Sequence, residues 1–370
     1  MIDLDGFRSG PEARPLIERI HALVDGPVAL MEVCGTHTVA ISRFGLRSLL
    51  PDGLRLLSGP GCPVCVTPLS EIDRAIAVAR EPGVILTTFG DMMRVPGSRS
   101  SLEEEKSEGA DVRVLYGPLE ALEIAQANPK REIVFVGVGF ETTSPTIAAT
   151  LLDAERRGIR NFTVLPFFKR VPPALGMLAR VPERALDGFI CPGHVSAIIG
   201  SAAYEPVARE HNVPCVVVGF EPLDILAGIV MLLEQVREIR RAAGRARVET
   251  EYCRAVTPGG NRVAQEVMAE VFEVCDAEWR EIGVIEESGY ELSGRLSAFD
   301  ARERVPVEVG EPAPLGECIC GSIMLGLKLP TDCPSFAGAC TPRRPVGPCM
   351  VSTEGACAAF YKYDRHRPQS

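Results

Sequence analysis

The sequence predicts an α/β fold of two similar domains with mostly parallel sheets facing a central cleft, followed by a third, cysteine-rich domain. Four observations carry this. Short apolar runs that end in Gly/Pro turns alternate with segments of helical periodicity. A run–turn–helix pattern recurs: "LRLLSGPGCPVC" is echoed by "LDGFICPGHVSAIIG", and "GVILTTFGD" by "VPCVVVGFEP". The turns and the strands after them have similar separations, Gly61 to Gly90 and Gly193 to Gly219. Finally, from Pro312 onward the chain is rich in Cys, Pro and Gly and has little periodicity.

Taken in order, Pro11 to Val24 reads as an amphipathic helix with Leu16, Ile20 and Leu23 at helical spacing. Val28 to Val33 is a strand running into "CGTHT", and "VAISRFGLRSLL" is a helix. "LRLLSGPG" is a second strand and turn. Thr67 caps a helix with Pro68 at its first position and an apolar stripe of Leu69, Ile72, Ala75, Ile76 and Ala79. "GVILTTFGD" and "VRVLYG" are strands. "IVFVGVGFETT" is a strand and polar turn leading to the helix "SPTIAATLLDAERRG", and "FTVLPFF" is another strand. Two such halves leave a cleft at the carboxyl ends of their strands, where open α/β sheets place ligands. After Gly244 a charged junction leads to a helix "RVAQEVMAEVFEVCDAEW" capped by Asn261, then to a strand and turn in "EIGVIEESGYELS".

The 370 residues are 46% apolar and 24% charged, which specifies a globular chain long enough for two or three cores. A net charge of −10 argues against a nucleic-acid partner, which meets a basic face. The longest apolar candidate, Ile225 to Leu233, is too short to span a membrane. The start, "MIDLDGFRSG", shows no secretory signal, so a cytoplasmic protein is expected. Thirteen cysteines in a reducing compartment point to metal or catalytic use rather than structural disulfides.

Six of them lie in the tail: Cys318, Cys320, Cys333, Cys340, Cys349 and Cys357. A segment with so little apolar periodicity needs something else to order it. Four thiolates on Pro- and Gly-bearing loops suit a [4Fe–4S] cube. A four-thiolate zinc site with two spare buried thiols is the competing reading, although zinc sites usually show two close pairs and only Cys318/Cys320 is close here. Spacing alone does not choose four ligands from six.

"CGTHT" places Cys34 after a buried strand and before a helix, whose N–H groups favour thiolate. His37 is available to hydrogen-bond that sulfur, move its proton or bind metal; the alternative is an inert cysteine and a satisfied histidine. In "GPGCPVC", Pro63 keeps Cys62 and Cys65 close at the start of a helix, as in C-x-x-C oxidoreductases. These thiols suit either disulfide cycling or, with Cys34, a soft metal. "GVGFETT" is not a nucleotide loop, because Thr142 stands where the third glycine belongs. Glu141, Asp91, Cys191 and His194 are further candidates, either facing the cleft or capping the next element.

Together "MEVCGTHT", "LSGPGCPVCVTP", "TFGDMMRVPGS", "GFETTSPTIA", "CPGHVSAIIG" and "CPSFAGACTPRRPVGPCMVSTEGACAAFYKY" resemble the HypD family of hydrogenase maturation proteins over nearly the whole chain, with no departure at the positions that carry chemistry. The resemblance implies a scaffold for the Fe(CN)2CO unit of [NiFe]-hydrogenase, working with a HypC-type small chaperone and a HypE-type cyanide donor. It implies that Cys318, Cys333, Cys340 and Cys357 hold a [4Fe–4S] cluster. It also implies that Cys34 holds iron, Fe(2+), with Cys62 and Cys65 as neighbouring metal-binding or disulfide-exchanging thiols and His37 as the motif histidine. The expected division is an N-terminal helix over 1–25 packed on the C-terminal domain, α/β domains over 26–117 and 118–245, and a cluster domain over 246–370. The alternative is a stand-alone iron–sulfur thiol–disulfide oxidoreductase; a zinc-stapled binding module is a third reading.

Overall fold

The computed structural model describes residues 10–182, 186–313 and 316–365. The outer parts of the expected N-terminal and C-terminal segments, 1–9 and 366–370, lie outside them. The first half contains α1 (Gly10–Leu23), β1 (Val28–Glu32), α2 (Gly35–Phe44), β2 (Leu54–Ser58), α3 (Pro63–Val66), α4 (Leu69–Ala79), β3 (Val84–Thr88), α5 (Leu102–Ser107) and β4 (Val112–Val114). There follow α6 (Leu119–Ala127), β5 (Glu132–Gly139), α7 (Ser144–Arg157), β6 (Phe162–Lys169), α8 (Val171–Leu178), β7 (Gly188–Pro192), α9 (Gly193–Ile199), α10 (Glu205–His211), β8 (Cys215–Val218) and α11 (Pro222–Arg240). The chain ends with β9 (Val248–Thr250), α12 (Arg262–Val271), β10 (Phe272–Trp279), β11 (Gly283–Leu292) and the short helices α13 (Ala301–Arg304), α14 (Cys320–Met324), α15 (Pro348–Val351) and α16 (Ala356–Ala359).

The strands form two sheets. One runs β2-β1-β7-β8-β9, parallel throughout; the other runs β10-β11-β6-β5-β3-β4, parallel from β6 to β4 and antiparallel at β10–β11 and β11–β6. Strands β1, β3, β6, β7 and β8 are buried at every position, as expected where a parallel strand is covered on both faces. The α/β class and mostly parallel sheets read from the sequence therefore stand. Each sheet, however, draws strands from both of the segments 26–117 and 118–245. The two echoed turns, after β2 and β7, sit at the edge of one sheet on either side of β1. The first segment gives β1 and β2 to one sheet and β3 and β4 to the other; the second gives β5 and β6, then crosses back with β7 and β8. Pattern along a strand sets its faces but does not name its neighbours, so this interleaving left no mark in the periodicity.

Three apolar clusters explain the layering. One face of the first sheet packs Leu30, Leu56 and Ile190 against α1, α2 and α11. One face of the second packs Phe135, Phe162 and Val164 against α6, α7 and α12. The inner faces share a single cluster that also contains residues of α3, α4, α8 and α10 and Ile323, Met324 and Met350 of the tail. Helix α1 lies along α11, tied by Arg19 Nη2 to Glu234 Oε1 at 2.9 Å, where the sequence reading expected the C-terminal domain. Its stripe of Ile20 and Leu23 belongs to the outer cluster, which fixes that choice.

Two local expectations need correction. Helix α12 stops at Val271, and "FEVCDAEW" is strand β10, with only Phe272 and Trp279 at its ends buried. The helical stripe had been extended into a segment that instead pairs with β11. Thr67 does not cap α4: its hydroxyl donates to Pro63 O at 2.8 Å and closes α3, while Pro68 occupies the cap.

Lys169, 1% exposed, reaches from the end of β6 to Glu71 of α4 at 2.9 Å. Lys169→Ala should cost about 2 kcal/mol, because it removes a buried side chain and leaves the half-buried Glu71 carboxylate unpaired. Urea unfolding at neutral pH reads the loss; a cost under about 1 kcal/mol would show that the pair does not join the layers.

Candidate metal and thiol site

Strand β1 delivers Cys34 to the first position of α2, where it is the extended N-cap residue, φ −148°. Its thiol is half-buried and meets the N–H groups of Thr36 and His37, as a helix start allows. Burial, then the neighbouring Glu354 carboxylate, push it up to about 12; the N–H groups act the other way. Behind it Glu32 accepts from the Thr38 hydroxyl at 2.7 Å and from Cys34 N at 3.3 Å. Glu354 accepts from the Thr36 hydroxyl at 2.9 Å, so the tail closes over the start of α2.

Strand β2 delivers the second thiol pair. Gly61 packs on Cys34 so tightly that a Cβ would lie 2.3 Å from Cys34 N, and Gly61 O accepts from Gly35 N at 2.9 Å. Cys62 therefore starts α3 directly beside Cys34. Pro63 occupies the first helical turn, and Cys62 Sγ accepts from Cys65 N at 3.2 Å. Both cysteines are buried. The glycines and prolines of "GPGCPVC" thus do two jobs: close approach of two turns, and a preformed one-turn helix holding two sulfurs.

Cys65 faces Cys62 on one side and Cys349 on the other; burial first, then contact with these thiols, raises its pKa well above the ordinary thiol value. Cys349 also meets Cys320, and contact with Cys320 and then Cys65 holds it below its usual value. Cys320 touches Cys318, whose thiol acts downward on it; Cys349 and burial outweigh this and push it up. The sulfurs of Cys62, Cys65, Cys349, Cys320 and Cys318 thus form an unbroken row.

The row ends at a cavity lined by Cys318, Cys333, Cys340, Cys349 and Cys357, with Ile323, Phe336 and Met350 among its apolar walls. Burial first, and then the thiols of Cys318, Cys320, Cys340 and Cys333 around it, push Cys357 up strongly. Val346 N donates to Cys340 Sγ at 3.3 Å. A Cβ on Gly347 would sit 2.5 Å from Cys318 Sγ, so this wall admits only glycine. The donor set is all sulfur, dry and partly hydrogen-bonded, which fits an iron–sulfur cube better than a site built from nitrogen and oxygen. Among the described residues no three His, Cys, Asp or Glu side chains form a ready coordination shell; the thiols line the cavity wall.

Other candidates fall elsewhere. His37 is fully buried and turned from Cys34: its Nε2 donates to Gly219 O at 2.8 Å and its ring stacks on Phe220 at 4.7 Å. Burial lowers it to about 4, so it is neutral. His194 is exposed and packs on the other side of Phe220 at 4.1 Å. Cys191 is buried in β7 beside Cys215 rather than facing the cleft. Asp91 accepts from the Ser352 hydroxyl at 2.9 Å and so holds the tail. Glu141 is buried and accepts from Val171 N at 3.0 Å, capping α8. Residue patterns missed the bridging role of Cys320 and Cys349. The close Cys318/Cys320 spacing was a partial signal; nothing local announces that Cys349 meets Cys65.

Comparison with known proteins identifies the family. Residues 12–364 match the family described as "HypD: Hydrogenase formation hypA family". The chain belongs to the HypD family. It is 47% identical to the hydrogenase maturation factor HypD of Azotobacter vinelandii over 373 residues, 98% of this chain and 97% of that one. It is 43% identical to that of Escherichia coli over 99% of both chains, and 44% identical to that of Rhodobacter capsulatus over 95% and 93%. Among the described residues no helix is long and apolar enough to cross a membrane.

Burial pushes the Glu141 carboxyl up from 4.5 to about 7. A raised acid contributes stability below about pH 4.5 that is lost as pH climbs through 7, a swing of about 3 kcal/mol. Glu141→Gln keeps an acceptor for Val171 N but does not ionise. Its stability relative to the parent should therefore rise by about that amount between pH 4.5 and 8; parallel pH–stability curves would refute the assignment.

Proposed function

We propose that this chain is a maturation factor for [NiFe]-hydrogenase and assembles the Fe(CN)2CO unit. Membership of the HypD family, whose relatives carry the name hydrogenase maturation factor, supports the role in hydrogenase maturation. The row of sulfurs linking Cys62 to the cysteine-lined cavity is the observation that carries the finer reading.

In this reading iron is cargo. Cys34 grips it at the start of α2, with Cys62 and Cys65 beside it, and soft thiolates suit low-spin iron carrying cyanide and CO. A HypC-type chaperone shares the iron and a HypE-type partner brings cyanide; no nucleic acid or membrane takes part. Cys318, Cys333, Cys340 and Cys357 would hold the resident [4Fe–4S] cluster. Bound there, such a cluster exchanges single electrons.

The chain's own thiols do the rest. Cys62 and Cys65 close into a disulfide, and their two electrons and two protons go to the S–CN bond of a thiocyanate-type cyanide donor, which breaks into a thiol and hydrogen cyanide. Cys349 attacks Cys65 Sγ, forming a Cys65–Cys349 bond and releasing Cys62, whose sulfur the Cys65 N–H stabilises. Cys320 then attacks Cys349, forming Cys320–Cys349 and releasing Cys65. Two electrons and two protons pass to the front pair, and the dithiol is restored. His37 fits a structural part in this scheme, holding α2 to the turn after β8.

Infrared spectroscopy of the anaerobically purified chain with its small chaperone partner tests the reading. Cyanide and CO bands are expected in the parent. They should disappear in Cys34→Ala, Cys65→Ser and Cys349→Ser variants, while iron and labile sulfide stay within about 20% of the parent in the last two. Cys357→Ala should lose most of the sulfide. A stand-alone oxidoreductase would instead reduce a disulfide substrate without any partner, and a zinc protein would be colourless; either result rejects the scaffold.

A further inference from the structure

The tip of the β10–β11 hairpin touches both thiol-bearing helices with two consecutive residues. Arg280 is 2% exposed; its N donates to Val66 O at 2.8 Å and its Nε to Thr67 O at 2.7 Å. These carbonyls lie at the C-terminal end of α3, the helix that carries Cys62 and Cys65. Glu281 faces the other way. Its Oε2 accepts from Gly321 N at 2.8 Å and its Oε1 from Cys320 Sγ at 3.4 Å. A Cβ on Gly321 would lie 2.5 Å from the Cβ of Glu281, so the turn and the start of α14 are in direct contact.

Neither residue is what stability alone would select. Glu281 has φ +56°, a left-handed conformation that is costly for any residue with a Cβ and free for glycine. Arg280 buries a guanidinium whose two amino groups have no hydrogen-bond partner among the described residues, which is also unfavourable. Strain and an unsatisfied cation persist where the surroundings hold them for a purpose.

We propose that Arg280 and Glu281 form a positioning brace that sets Cys65 and Cys320 on opposite sides of Cys349 at exchange distance. The inference rests on the thiol exchange proposed above and adds the residues that align it. Arg280 fixes α3 from behind; Glu281 orients the Cys320 thiol and α14. In the step they align, the Cys320–Cys349 bond forms as the Cys65–Cys349 bond breaks, and the proton lost by Cys320 is balanced by the one Cys65 takes up. Glu281 acts through Cys320 and touches no cargo.

The test uses the full chain, purified anaerobically and then pulsed with glutathione disulfide as oxidant. Acid quenching, differential alkylation and mass spectrometry follow the appearance of a Cys320–Cys349 disulfide. Glu281→Gly removes both hydrogen bonds and relieves the left-handed backbone. It should slow this disulfide about tenfold, the scale expected of a modest misalignment, while the thermal midpoint is unchanged or raised. Glu281→Gln keeps the acceptor and should stay within about twofold of the parent rate. A Glu281→Gly variant at the parent rate, or a Glu281→Gln variant as slow as the glycine, overturns the brace while leaving the exchange reading intact. A parent that forms no disulfide among Cys65, Cys349 and Cys320 overturns both.

Discussion

The architecture depends on close packing of three turns at the carboxyl end of the first sheet. Gly61 lies on the backbone of Cys34, and Gly35 lies under Glu354, where a Cβ would come within 2.4 Å of the carboxylate residue's own Cβ. With side chains at either position the turns would separate by the thickness of a methyl group. Thiol exchange and shared ligation both fall steeply over that distance. The same contacts draw the tail onto both sheets: Glu354 meets α2 of the first, and Ser352 meets Asp91 after β3 of the second.

Burial then decides the charge state of this sulfur-rich seam. A row of thiolates in an apolar wall would be prohibitive, whereas neutral thiols bury as easily as small hydrocarbons and donate weak hydrogen bonds to one another. The directions of the shifts follow that logic: Cys34, Cys65, Cys318, Cys320 and Cys357 are held protonated, and Cys349 alone is eased toward thiolate by donors on both sides. The member of the row best placed to attack is thus Cys349, the one whose neighbours on both sides act to favour its thiolate. An exposed set of cysteines would have no such ordering.

What the sequence made legible follows the range of the interactions involved. The parallel strands, the helix at Cys34 and the one-turn helix at Cys62 are local, written in apolar runs, glycines and a proline. The crowding of six cysteines into the tail is just as visible. Strand β10 was misread because "EVMAEVFEVCDAEW" sustains a helical stripe past Val271, and only pairing with β11 overrules it. The histidine of "CGTHT" was read toward its near neighbour Cys34, yet its hydrogen bond goes to Gly219, far along the chain. Cys320 and Cys349 were visible only as two of six tail thiols; their place between Cys65 and the cavity rests on contacts that no spacing encodes.

The cysteine-rich tail poses the question of what orders a segment without a periodic core, and much of the answer is packing. Ile323, Met324, Met350 and Cys349 belong to the same apolar cluster as the inner faces of both sheets. Arg47, in the short 3-10 helix Leu46–Leu49 after α2, lies over the Phe360 ring at 4.6 Å and meets Asp364 at 3.2 Å. The tail therefore folds on a surface that exists only after strands from both halves have been interleaved. Its docking is as non-local as the sheets themselves, and it cannot be detached without exposing one wall of the central core. A cysteine-rich segment built this way senses the rest of the fold through packing, so the cavity and the C-x-x-C helix are mechanically one unit. That unity, rather than the presence of any single cysteine, is what allows a buried thiol pair near one sheet to meet a sulfur-lined cavity in the tail.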